Sequence, residues 1–246
     1  MSQPRSRRQQ PEIEGAFKPF QEERDSHTFD DGSIYTGYWL VTSPYQAVRH
    51  GFGTMIWTDG DTYAGDWQYD MANGHGTFVF AKTGDKYSGQ WLDHKQHGQG
   101  RYECADGSIY EGQWVQNLKH GEGIETYPNG CSFKGIFNRG KRTAKGVFLW
   151  PDGTSYQGDW SKDGKMHGFG VFKWRDGREY QGQFFNGKKD GRGVFVWPDG
   201  RRYIGDYLDD KKNGNGRLYD SKGLVYSGKW EDGRPKPAED ELPVQC

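Results

Sequence analysis

Residues 146–160 read GVFLWPDGTSYQGDW, and the geometry of their central bend decides the fold. Pro151, Asp152 and Gly153 suit a type I turn closed by a left-handed glycine, because proline cannot take the positive φ that a two-residue type I′ turn needs. The loop therefore holds three residues. Counting outward, Trp150 opposes Thr154, Phe148 opposes Tyr156, Gly146 opposes Gly158 and Ala144 opposes Trp160. An odd loop keeps the aromatic residues of both strands on one face, whereas a slip of one residue would split them between two.

The same pattern recurs along the chain. YxGxW or a close variant begins at Tyr35, Tyr63, Tyr87, Tyr110, Phe133, Tyr156, Tyr180, Tyr203 and Tyr226, mostly 23 residues apart, the spacing of a tandem repeat. A second element follows each of the first eight, as at Gly51, Gly53, Met55 and Trp57, or at Gly191, Gly193, Phe195 and Trp197. Marked residues two apart signal strands. The four-residue loop Ala81-Lys82-Thr83-Gly84 keeps Phe78 opposite Tyr87. Thr36, Ala64, Ser88, Gln90, Glu111, Gln113, Gln157 and Gln181 fall on the reverse face, which reads as mostly polar. Nine first strands and eight second strands predict an all-β fold: an elongated, single-layer antiparallel sheet of tandem β-hairpins, about 80 Å long at ~4.8 Å per strand.

Composition narrows the classes. Only 32% of residues are hydrophobic, yet 16% are aromatic, 38 are glycine and the net charge is −1, so the chain folds around rings and glycines instead of an aliphatic core. No run approaches the roughly 20 apolar residues of a membrane helix, and MSQPRSRRQQPE lacks the apolar core of a signal peptide. Cys104, Cys131 and Cys246 form no disulfide framework, which suits a reducing, cytoplasmic setting. The charge balance offers nucleic acid no overall attraction.

The tandem YxGxW, HGxG and DG arrangement, with His50, His97, His120 and His167 in the HG slot, resembles the MORN (membrane occupation and recognition nexus) repeat over residues 29–233. The resemblance implies stacked hairpins in one layer. Relatives include radial-spoke and other axonemal proteins, protist cytoskeletal scaffolds, junctophilins, and plant kinases and a methyltransferase that carry the repeats beside a catalytic domain. Three places depart from the pattern: Phe133, Phe137, Thr143 and Ala144 in the fifth repeat; about five extra residues within Val41 to Arg49; and Asp220 in an aromatic slot.

Chemistry-bearing residues are few. His94 and His97 have metal-pair spacing, but the repeat already accounts for His97; the GxG elements lack the helix that a phosphate site requires. Neither Cys104 nor Cys131 has an assignable base, and no catalytic domain remains outside the repeats. No cofactor is expected. The aromatic stripe reads as core and as binding face together, with a partner helix or extended peptide along Tyr63, Trp67, Tyr87, Trp91, Tyr110, Trp114, Tyr156 and Trp160.

Basic residues gather in the hairpin loops of the C-terminal half: Arg139, Lys141 and Arg142, then Lys188 and Lys189, then Lys211 and Lys212. Along one edge they form a candidate contact for an acidic surface or anionic lipid, with interspersed aspartates opposing it. Residues 1–28 and 234–246 read as mostly disordered tails, with Ile13, Phe17 and Phe20 available to dock and Pro235 and Pro237 ending strand pairing. The reading is a non-enzymatic scaffold for protein partners in a cytoskeletal assembly; the resemblance adds a ciliary or flagellar axoneme. A membrane tether and an accessory module for a separate enzyme are the alternatives.

Overall fold

The computed structural model describes residues 17–236. They form one antiparallel sheet of nineteen strands, each paired with its neighbour in sequence, with no helix among the described residues. The strands are β1 (Phe20–Thr28), β2 (Ile34–Ser43), β3 (Gln46–Ile56), β4 (Thr62–Gln68), β5 (Met71–Val79), β6 (Lys86–Leu92), β7 (Lys95–Glu103), β8 (Ile109–Val115), β9 (Leu118–Thr126) and β10 (Ser132–Asn138). They continue as β11 (Lys141–Leu149), β12 (Ser155–Trp160), β13 (Met166–Lys173), β14 (Glu179–Phe185), β15 (Lys188–Val196), β16 (Arg202–Leu208), β17 (Lys211–Asp220), β18 (Gly223–Glu231) and β19 (Arg234–Pro235).

The Pro-Asp-Gly loop has the expected geometry. Trp150 N–H donates to Thr154 O at 2.9 Å, Gly153 N–H donates to Trp150 O at 3.0 Å, and Gly153 is left-handed at φ +87°. Phe148 accordingly pairs with Tyr156 and Gly146 with Gly158. The four-residue loop likewise keeps Phe78 opposite Tyr87. At Asp220, where an aromatic residue is missing, the carboxylate instead accepts the amides of Lys222 and Gly223 in a shorter turn; a bulge then restores Leu218 opposite Tyr226.

Inside most repeats the turn is of the other kind, though β12 and β13 are again joined by a glycine-closed loop, with Gly164 N–H donating to Ser161 O. Tyr69 and Asp70 both have positive φ, 49° and 67°, joining β4 to β5 through two residues. Gly65 faces Gly76, but Trp67 faces Ala72, so Asn73, Gly74 and His75 together oppose Asp66. This bulge needs a left-handed residue, supplied by Gly74 at φ +104°. Asp66 Oδ2 accepts the His75 amide at 2.8 Å, and Gln90, Gln113, Asp159, Gln183 and Asp206 hold the same bond in their own repeats.

Three expectations are corrected. Residues 20–28, assigned to a disordered tail, form β1 against β2, where Phe20 and Gln21 pair with Val41 and Leu40 of the first-repeat insertion. That insertion simply lengthens the β2–β3 hairpin, with Tyr45 98% exposed at its tip. Pro235 does not end pairing but faces Trp230 in β19; Ile13 and Pro237 lie outside the described residues. Finally, Ala144 does not pair with Trp160: the β11–β12 ladder runs only from Lys145↔Asp159 to Leu149↔Ser155. Ala144 stands where the bulge glycine belongs, and alanine resists the left-handed conformation.

The core is the aromatic face. Tyr35, Tyr63, Tyr87, Tyr110, Phe133, Tyr156, Tyr180 and Tyr203 are all at most 2% exposed. Each tyrosine ring lies across the glycines of its own strand and the next, and its hydroxyl donates to the carbonyl three residues on, as Tyr87 does to Gln90 O at 2.8 Å. The tryptophans of its own repeat and of the next meet it edge-on, Trp91 at 5.1 Å and Trp114 at 5.3 Å from Tyr87. Indole N–H groups of Trp67, Trp91 and Trp114 donate to glycine carbonyls of the preceding hairpin. Repeats are thus bonded to one another through the face as well as through the ladder.

Candidate functional site

What covers these rings, with no second layer among the described residues, is mainly one position per repeat. The residue paired with each tryptophan slot across the inner hairpin is Arg49, Ala72, Gln96, Lys119, Arg142, Met166, Lys189 and Lys212 in turn. The long members lie over the aromatic face. Arg49 sits 4.3 Å from the Trp67 ring centroid, Lys119 4.8 Å from Tyr110, Arg142 4.2 Å from Phe133, and Lys212 4.6 Å from Trp230. Their aliphatic stems seal the rings while the charged heads reach the rim.

Two consecutive repeats lack a cationic cover: Ala72 is small, with the His94 ring standing beside Trp67 instead, and Gln96 is neutral. Beside Gln96, which forms part of its wall, the face opens into a groove of about 640 Å³ lined by Phe78, Phe80, Trp91, Tyr102 and Trp114. His94, Asn117 and Leu118 form its rim. Beyond Lys119 the aromatic slot opposite Tyr110 and Phe133 is taken by Glu125. Glu125 accepts Lys119 Nζ at 2.7 Å and pairs with Arg142. Burial opposes its ionisation, but those two cations outweigh burial and hold its carboxyl below the usual range. The groove therefore ends in a charged cluster. A second concavity of about 740 Å³ adjoins Trp160, beside Arg142, Thr143, Ala144 and Lys162, where the ladder is interrupted.

The eight residues assigned to a partner-binding face are mainly interior. Tyr63, Trp67, Tyr87, Trp91, Tyr110, Trp114 and Tyr156 are buried and Trp160 is half-buried, because neighbouring rings and cover residues occupy the space above them. Trp91 and Trp114 still present edges to the first groove and Trp160 to the second. Phe78, Phe80 and Tyr102, outside that set, contribute the rest of the first groove; their position in the second element of the repeat was the available signal.

The basic edge is also rearranged. Arg142, Lys189 and Lys212 turn onto the aromatic face, since their slot is the cover position. Lys188 pairs with Asp209 at 2.8 Å and Lys211 with Asp232 at 2.9 Å, each spanning adjacent inner turns. Arg139 lies in an inner turn with φ +48°, and Lys141 is exposed beside it. A continuous basic ridge is not assembled.

The remaining candidates serve the sheet. His94 Nδ1 accepts the Ala72 amide at 3.3 Å, tying one inner turn to the preceding strand. Burial pushes the Cys104 thiol up, so it stays protonated and poorly nucleophilic. Burial likewise raises the phenols, to about 12 at Tyr35, Tyr110, Tyr156 and Tyr203, keeping them hydrogen-bond donors.

This is a single-layer hairpin-repeat protein, a class in which each unit contacts only its neighbours. The MORN repeat family matches residues 47–62, 63–84, 87–109, 110–132, 133–155, 156–177, 180–201 and 203–225, and the chain belongs to that family. Comparison with curated protein sequences gives no match. Among solved structures, a point mutant of the TCP10 domain of Danio rerio CPAP is similar, with 13% identity, a TM-score of 0.46, and 83% of this chain and 99% of that one covered. The CPAP G-box domain has 11% identity and a TM-score of 0.46, covering 85% and 99%. The SAS-4 (dCPAP) TCP domain of Drosophila melanogaster, solved with a proline-rich motif of Ana2, has 12% identity and a TM-score of 0.30, covering 89% and 94%.

Proposed function

We propose that this MORN array is a non-enzymatic scaffold in a cytoskeletal assembly, that of a cilium or flagellum, and that its groove over Trp91 and Trp114 seats a helix or extended peptide of a partner protein. The observation that carries the binding reading is the neutral Gln96, which lines the groove in the slot where other repeats carry Arg49, Lys119 and Arg142. A groove of aromatic walls and a charged end accepts an apolar anchor next to a polar contact. Family resemblance supports the ciliary setting.

Replacing both Trp91 and Trp114 by alanine would damage the core itself. Gln96→Arg is the better test, because it restores the cover that neighbouring repeats already tolerate. The wild-type chain should co-sediment with detergent-extracted axonemes, and Gln96→Arg should not, with unchanged circular dichroism. Equal co-sedimentation by the variant would discard the groove, and failure of the wild type to sediment would discard the axoneme.

A further inference from the structure

The last YxGxW strand, β18, is incomplete on its outer side. In every earlier first strand the central ring is at most 2% exposed, whereas Tyr226 is only half-buried. Its internal bonding is intact: the hydroxyl donates to Lys229 O at 3.0 Å and to Lys236 O at 2.6 Å. What differs is the neighbour. A Cβ built on Gly65 would meet the backbone of Gly76 and His75 across the ladder, whereas the three atoms nearest one built on Gly228 all belong to Tyr226. Among the described residues, outer contacts of the β18 backbone include Trp230↔Pro235, Glu231↔Arg234 and Lys236 N–H to Lys229 O at 2.8 Å. Among the described residues no strand lies outside Gly223–Gly228, and Leu224 and Val225 are 57% and 56% exposed.

Two occupants from this polypeptide fit poorly. Aligned on the earlier hairpins, the two glycine slots after Trp230 fall on Pro237 and Glu239. Proline cannot take the left-handed bulge position, and any Cβ in the second slot enters the tyrosine ring space, as at Gly216, where it would lie 2.5 Å from Tyr203 Cε2. The other occupant is β1 of a second copy, which stands in the sheet as a second strand without a first. Opposite Gly37 it carries Arg24, whose guanidinium lies over Trp39 on the aromatic face. That side chain would collide with Tyr226 of an incoming β18.

We propose that Gly223–Gly228 is an acceptor edge for one extended segment of a partner polypeptide, with a glycine opposite Gly228 and an aromatic residue two positions later opposite Tyr226. Main-chain hydrogen bonds supply attraction, and the glycine requirement supplies selectivity, since only a residue without Cβ lets the Tyr226 ring lie flat.

The probe is a fluorescein-labelled peptide of residues 189–198, KDGRGVFVWP, which holds the required Gly193 and Phe195. Mixed with the full chain, it should bind in fluorescence polarisation and slow hydrogen exchange of amides within residues 223–229. A Gly193→Val peptide should bind about tenfold more weakly or worse. No binding up to ~1 mM, equal binding of the valine peptide, or protection elsewhere in the sheet would overturn the proposal. So would slow exchange of residues 223–228 in the free chain, whether it follows concentration-dependent dimerisation or is lost on deleting residues 237–246, because the edge would already be taken.

Discussion

The Tyr63 ring fills the space above Gly76: a Cβ placed on that glycine would lie 2.5 Å from Cε2 and Cζ of the phenol. The ring has no room to retreat, being met edge-on by Trp67 at 5.1 Å and Trp91 at 5.3 Å, with its hydroxyl fixed on Asp66 O at 3.0 Å. Gly76→Ala should therefore destabilise the array by about 2–3 kcal/mol in urea denaturation. Gly153→Ala is the control: nothing lies within 4 Å of its added carbon, and only the φ of +87° opposes it, at about 1 kcal/mol. Equal costs at the two sites would refute the steric account of the glycine ladder.

Acid should loosen the β5–β7 region through His94. Burial first, then the charge of Arg49, holds its pKa below the ordinary 6.5. A histidine lowered in the folded state contributes fully above the unfolded value and loses that contribution as pH falls below it. The neutral ring is needed because Nδ1 accepts the Ala72 amide. Asn117 Oδ1 accepts the Gln96 amide at 2.8 Å in the next repeat, so His94→Asn should keep the bond and remove this part of the pH dependence. Thermal melts of both proteins at pH 7.5 and pH 5 check it; parallel acid shifts would rule His94 out.

Cover residues should act through their stems more than through their charge. Lys212 Nζ lies 4.6–4.9 Å from the rings of Trp230, Tyr203 and Trp197, and burial lowers its pKa. Lys212→Met places in this repeat what Met166 already supplies in another, and stability should stay within ~1 kcal/mol. Lys212→Ala uncovers the rings and should cost about 2 kcal/mol, from roughly three methylenes no longer buried. Matching losses in both variants would show that the charge matters more.

Trp160 joins the two halves of the core. It packs against both aromatic clusters, Tyr35 to Phe137 on one side and Tyr156 to Trp230 on the other. The ladder beside it is short, so coupling across this point depends on the indole. Trp160→Ala should split urea denaturation into two transitions, followed by tryptophan fluorescence and by circular dichroism. A single cooperative transition would place the coupling elsewhere.

Registers were legible in the sequence because Pro151, Pro198 and their Asp-Gly partners restrict the turn to one length, and parity then fixes which residues share a face. The cover slot was not legible. Arginine, alanine, glutamine, lysine and methionine share no hydropathy signal, and their common task appears only once the inner bulge sets them opposite the tryptophans. β1 was hidden for a related reason: FQEERDSHT has charged residues on both faces, and its strand state comes from the open edge of β2. The groove was half visible, since Trp91 and Trp114 were named but the neutral cover residue Gln96 was not.

Arg24 gives the array a direction. A sheet whose units are nearly interchangeable has no inherent reason to stop growing, yet at β1, the outermost described strand, the Arg24 guanidinium stands where the Tyr226 ring of another copy would have to lie. If the β18 edge accepts a partner strand as proposed, copies of this chain are then disfavoured from stacking β18 against β1, and the edge is left to a different polypeptide.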